Sequence, residues 1–138
     1  RLKILKKYPN FIFYKIDLKN KKTLTKSINK YKKKIKIVVH LAGQAGVRYS
    51  ILNPITYVEN NIVAYINLLE FFRNKSKNTL IIYASSSSVY GEKGFKKSIS
   101  SSIQNNPISV YSASKLTMEL ISKVYNHIWG IIHSLRSF

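Results

Sequence analysis

The chain has 138 residues, 45% of them hydrophobic, which suits one domain with a buried core and argues against global disorder. It has no cysteine, five acids and three scattered histidines, His40, His127 and His133. These counts exclude disulfides and thiolate metal sites and argue against a zinc or two-metal centre, so no metal is expected.

The net charge of +19 raises the question of nucleic acid. The lysines gather at 19–34, in KNKKTLTKSINKYKKK, and at 93–97. No finger, RNP-like strand or recognition helix accompanies them. A solvated lysine face accounts for the runs, and no specific nucleic-acid partner is expected. Such a field would still draw in anionic substrates. No apolar run is long enough to span a bilayer, and the opening RLKILKKYPN has no signal core or cleavage site. A cytoplasmic chain without a membrane partner is expected, with Arg1 read as a boundary of the segment.

Residues 11–16, FIFYKI, read as a strand that ends at Asp17. Residues 21–33 read as a short helix, with Leu24, Ile28 and Tyr31 at helical spacing. IKIVVHL, 35–41, is a second strand, apolar enough for a sheet covered on both faces. It runs into AGQAG at 42–46, where small residues admit a ligand or backbone. A long helix is expected from Pro54 or Ile55 to Phe72, with Val58, Ile62, Ile66, Leu69 and Phe72 as its apolar face. NTLIIYASS, 78–86, is the third strand. A second long helix follows at 110–127, carrying Leu116, Leu120, Val124 and Ile128 at spacing four, and Gly130 stops it. IIHSLRSF begins a fourth strand. Strands alternating with helices at this spacing predict an α/β fold, part of a Rossmann-like doubly wound parallel sheet.

Ligands of such sheets lie beyond the carboxyl ends of the strands. Asp17, the AGQAG loop and the serine run at 85–88 all fall there. Tyr111 and Lys115 stand four apart at a helix start and so share one face. An ammonium near a phenol favours phenolate, which suits proton exchange with a substrate hydroxyl. Among ten tyrosines and many lysines, the pair by itself could arise by chance. The serine run about 25 residues earlier adds weight, because a core strand delivers Ser86 to the same crevice. Ser100, Ser101 and Ser102 fit an ordinary polar loop.

Taken together, HLAGQAGVRYS (40–50), YVENN (57–61), YASSSSVYG (83–91) and NPISVYSASK (106–115) resemble the extended short-chain dehydrogenase/reductase family. Within it the chain is most similar to NAD-dependent epimerases of UDP-sugars, and QAGVRYS leans toward the UDP-glucuronate 4-epimerases. The resemblance implies catalytic Ser86, Tyr111 and Lys115. It implies a cofactor site at Asp17, Leu18, Leu41, Ala42, Gly43, Gln44 and Asn60, shared with Tyr111 and Lys115. Ser85, Ser86, Ser87 and Arg48 would meet the sugar. The implied reaction oxidises the sugar at C4 through NAD, turns the 4-keto intermediate and reduces its opposite face. A 4,6-dehydratase or a decarboxylase of the same family is the alternative, but Ser87 and Ser88 stand where a dehydratase would favour an acidic pair. A non-catalytic remnant is the alternative of another class.

The family's G-x-x-G-x-x-G turn, which receives the pyrophosphate at a helix N-terminus, does not occur here. Residues 1–138 are therefore expected to be the central and C-terminal part of an NAD-binding domain. The Gly-rich unit and the substrate domain would lie outside the segment, and the segment alone is expected to be inactive. Family members often dimerise through the two long helices, so a homodimer is expected of a full-length form.

Overall fold

The computed structural model describes residues 1–73, 79–95 and 105–137. Ser100, Ser101 and Ser102 lie outside the described residues. A short helix, α1 (Leu2–Leu5), precedes an extended stretch, and α2 (Lys21–Ile28) then starts at a capped end. The Asn20 side chain accepts the Thr23 amide at 3.1 Å, which satisfies one of the donors that a helix start leaves free. A 3₁₀ turn at Asn29–Tyr31 closes this segment and leads to β1 (Ile37–His40).

Beyond β1 come α3 (Val47–Leu52) and α4 (Pro54–Tyr57), with Pro54 in the first turn. A π-helical turn at Val58–Val63 joins α4 to α5 (Ala64–Arg73). The helix expected from Pro54 to Phe72 is thus present but interrupted by a wider turn, and α3 is an addition to it. β2 (Leu80–Ser85), α6 (Val110–Trp129) and β3 (His133–Ser137) complete the order. Ser109 and Ser112 form a capping box at the start of α6, and Gly130 ends it in the left-handed conformation, φ 66°.

The strands form a parallel sheet in the order β1–β2–β3. Ile37 pairs with Leu80, and Ile81 pairs with His133. The core gathers Leu24 of α2, Tyr65, Leu69 and Phe72 of α5, Met118 of α6, and Ile81 and Tyr83 of β2. These helices therefore share one face of the sheet. Ile37 and Val39 point the other way and are 59% and 60% exposed. The described residues supply one helical layer of the doubly wound arrangement, and the fold class is the Rossmann-like α/β class expected.

Two expectations change. Residues 11–16 are extended but join no ladder among the described residues. A strand needs a neighbour to take its amides and carbonyls, and β1 is bonded to β2 alone in this sheet. The segment is instead anchored at its end, where Asn67 Nδ2 donates to Leu18 O at 3.0 Å and Lys19 O at 2.9 Å. The apolar row on α6 also faces outward. Leu120, Val124 and Ile128 are 51%, 49% and 57% exposed, while Met118, Ile121, Tyr125 and Trp129 meet the core. Spacing identifies a face of a helix, but only the packed neighbours decide which face turns inward.

His40 ends β1 inside this core, stacked on the Tyr65 ring at 5.2 Å with its Nε2 unpartnered. Burial first, and then the nearby Lys115 charge, push its pKa down to about 4. The unfolded chain binds this proton near pH 6.5 and the folded chain near 4. Stability from a neutral His40 is therefore full above about pH 6.5 and is lost as pH falls through that window, by up to about 3 kcal/mol. Urea midpoints measured from pH 7 to 4 should fall more steeply for the parental chain than for His40→Phe, which keeps the stacked ring. Parallel curves would refute this account.

Candidate active site

The loop after β1 is shaped by side chains of the following helices. Asn61 is fully buried on the π-helical turn. Its Oδ1 accepts the Gln44 amide at 2.7 Å, and its Nδ2 donates to Gln44 O at 3.1 Å and Ser114 Oγ at 2.9 Å. Ser114 in turn donates to Tyr111 O at 2.7 Å. One asparagine thus joins the loop to the first turns of α6. A Cβ on Gly43 would come within 2.8 Å of Asn61 Oδ1, so this clamp needs glycine there. The same Cβ position lies 4.0 Å from Lys115 Nζ, which sets the loop directly beside that ammonium. The Tyr57 hydroxyl, 2.9 Å from Ala45 O and 2.6 Å from Gly46 O, pins the next two residues.

On the sheet side, Lys115 reaches from α6 to the end of β2 and donates to Ala84 O at 2.9 Å. It is buried, and burial lowers its pKa from the ordinary lysine value. Its Nζ stands 6.0 Å from the centre of the Tyr111 ring. That ring meets Tyr57 edge-on, with centroids 6.1 Å apart. Ser86 follows two residues after Ala84. Its Oγ accepts from Ser88 Oγ at 2.9 Å and Ser88 N at 3.3 Å. Ser86 is the acceptor in both bonds, so its own proton is not consumed by them. A phenol, a buried ammonium and a serine hydroxyl at one strand end can move a proton to or from a bound hydroxyl.

A cleft of about 340 Å³ opens between the end of the extended stretch and the β1 loop. Ile16, Asp17, Leu18, Ala42, Gly43, Gln44, Asn60 and Ala64 line it. This is the lower range of small-molecule pockets. Small loop residues, an exposed carboxylate and amide side chains fit one nucleoside end of a dinucleotide. Asp17 Oδ1 accepts the Lys19 amide at 2.9 Å, and Lys19 Nζ lies 3.8 Å from Asp17 and 3.4 Å from Glu59.

The residues singled out in the sequence thus divide. Tyr111, Lys115 and the end of β2 come together beside Gly43. Asp17, Leu18, Ala42, Gly43, Gln44 and Asn60 share the cleft, while Leu41 is exposed on the strand end outside its lining. Ser87 and Arg48 are exposed. Ser85 turns the other way: it is buried and its hydroxyl donates to Glu119 of α6. The alternation of a strand sends Ser85 to the helix-covered face, so a sugar contact is not its observed role. Sequence reasoning missed Asn61, Ser114, Tyr57 and Glu119. The adjacent pair in YVENN was the only visible hint of Asn61.

A family profile described as GDP-mannose 4,6 dehydratase matches residues 1–137. The chain belongs to this family. Its members and structural relatives include NAD-dependent sugar-nucleotide epimerases. It is 44% identical over 131 residues to Protein CapI of Staphylococcus aureus, covering 95% of this chain and 38% of the relative. It is 39% identical over 133 residues to UDP-glucuronate 4-epimerase of Thermodesulfobacterium geofontis, covering 95% and 39%. The chain therefore spans about two fifths of the length of these curated relatives. Among solved structures, the UDP-glucuronic acid 4-epimerase of Bacillus cereus, in complex with UDP-glucuronic acid and NAD, superposes with a TM-score of 0.82 at 31% identity. That match covers 97% of this chain and 40% of the other.

Proposed function

We propose that these residues form the catalytic part of an NAD-dependent 4-epimerase of UDP-sugars, with UDP-glucuronate and UDP-galacturonate as its pair of substrates. The observation that carries the reading is Lys115, which spans from the Tyr111 ring to the strand end bearing Ser86, beside a glycine loop. The identity to UDP-glucuronate 4-epimerases supports the choice of sugar.

In this reading Tyr111 takes the proton of the sugar 4-hydroxyl, and Ser86 donates to the same oxygen and orients it. Lys115 stabilises the phenolate, and being buried it does so with little screening. Asp17, Leu18, Ala42, Gly43, Gln44 and Asn60 hold the adenosine side of the cofactor. Bound NAD supplies the hydride acceptor and donor. Residues 1–138 act as the central and C-terminal part of the cofactor domain, in the cytoplasm. Leu120, Val124 and Ile128 on α6, with the exposed Ile55, Val58 and Val63 on the helices beside it, suit a second copy of the chain as a dimer partner. The 4,6-dehydratase reading is weaker because serines, not acids, follow Ser86.

The test is the whole protein with UDP-glucuronate and NAD. Conversion to UDP-galacturonate, followed by anion-exchange chromatography, is expected. Loss of carbon dioxide to a UDP-pentose, dehydration of UDP-glucose to a 4-keto-6-deoxy product in a parallel assay, or no turnover by protein that retains NAD would defeat the reading.

A further inference from the structure

We infer that Glu119 is a positioning residue for Ser86, holding the end of β2 in register with α6 through the hydroxyl of Ser85. The inference rests on the reading of Ser86, Tyr111 and Lys115 as the reaction centre. Tyr111, Lys115 and Glu119 follow one another at spacing four, so successive turns of α6 present them along one face. Glu119 is the single acid of that helix.

Opposite them lie three consecutive residues of the β2 end. Lys115 takes the carbonyl of Ala84 at 2.9 Å, Glu119 takes the hydroxyl of buried Ser85, and Ser86 comes next. The backbone ladder also pairs Ser85 with Ser137, but that bond fixes the strand within the sheet and not against the helix. In the proposed reaction Lys115 must also stabilise the Tyr111 phenolate. The Glu119–Ser85 bond has no such second duty. It keeps the strand end in place while Lys115 works.

Toward Ser85 the Glu119 carboxylate acts as a hydrogen-bond acceptor. Burial is the cause of the lowered Lys115 pKa. A glutamine side chain offers the same accepting oxygen. The expected effects follow from the sensitivity of reaction rates to small misplacements, where about 1 Å can mean a hundredfold.

The test measures kcat and KM for C4 epimerisation in the whole protein. Glu119→Gln should stay within about threefold of the parental kcat. Glu119→Ala and Ser85→Ala should each lower kcat about tenfold, with the sugar-nucleotide KM nearly unchanged. The double variant should be no slower than the slower single one, because both remove one bond. Should Glu119→Ala fail to accumulate, Ser85→Ala removes the same bond by deleting one oxygen. Full kcat in Ser85→Ala, equal loss in Glu119→Gln and Glu119→Ala, or losses that multiply would overturn the assignment. A parental protein that does not epimerise at all overturns the reaction reading and this inference together. An active parental protein with an unaffected Ser85→Ala overturns this inference alone.

Discussion

Tyr111→Phe is expected to lower kcat for C4 epimerisation by about a thousandfold in the whole protein while NAD affinity changes by less than about tenfold. General acid–base catalysis by a placed side chain contributes about 10²–10⁴-fold, and this change deletes only the proton-carrying oxygen. The phenyl ring keeps its edge contact with Tyr57, and Lys115 keeps its bond to Ala84 O. Folding and the loop beside Gly43 should therefore survive, with a thermal midpoint close to that of the parental protein. Lys115→Met offers the contrast. It removes the ammonium from both the phenol and the strand end, so kcat should fall and NAD should also bind more weakly. Steady-state kinetics and NAD titration separate the two cases. A Tyr111→Phe protein with a tenth or more of parental kcat would refute the assignment of Tyr111 as the base.

Asn61→Leu should destabilise the chain by about 3 kcal/mol, the largest effect on folding expected of any single site side chain. The substitution keeps the branched, four-heavy-atom shape of the side chain, with bulkier methyl ends, but removes every bond that Asn61 makes. The Gln44 amide and carbonyl lose partners inside the structure, and Ser114 loses one of two. The Gly43 loop is then free to move away from Lys115, so NAD affinity should fall with stability. Asn60→Leu is the informative comparison. Asn60 stands next in sequence but lines the open cleft, and its replacement should weaken NAD binding while leaving the unfolding free energy within about 0.5 kcal/mol. Similar stability losses in the two variants would show that the clamp has been misplaced.

Much of the fold was legible because its signals are local. Ser109 and Gly130 bound α6 through backbone geometry that nearby residues alone determine. The apolar run around Ile81 and Tyr83 needed only its neighbours to read as a strand. The spacing of Tyr111 and Lys115 also predicted one shared helical face, and Lys115 reaches the end of β2 with its ammonium 6.0 Å from the centre of the Tyr111 ring. The cleft was legible at Gly43 for the same reason, since its loop follows the end of β1, whereas Asp17 reaches the cleft from an extended stretch that joins no ladder among the described residues. The wrong readings came where a second element had to be known. FIFYKI has strand composition, yet composition supplies no partner for its amides. Leu120, Val124 and Ile128 form a regular row, yet the row faces away from the core.

The serine run, the Tyr111–Lys115 spacing and the glycine loop were legible in the sequence alone, because each belongs to a short motif whose spacing sets which side chains share a face. Tertiary structure decided what those faces meet. The π-helical turn rotates Asn61, not Asn60, inward to hold the loop. Strand alternation sends Ser85 to Glu119 while the next residue stays at the strand end. Both outcomes depend on contacts between residues 17 to 53 positions apart, and no local pattern of sequence encodes such distances.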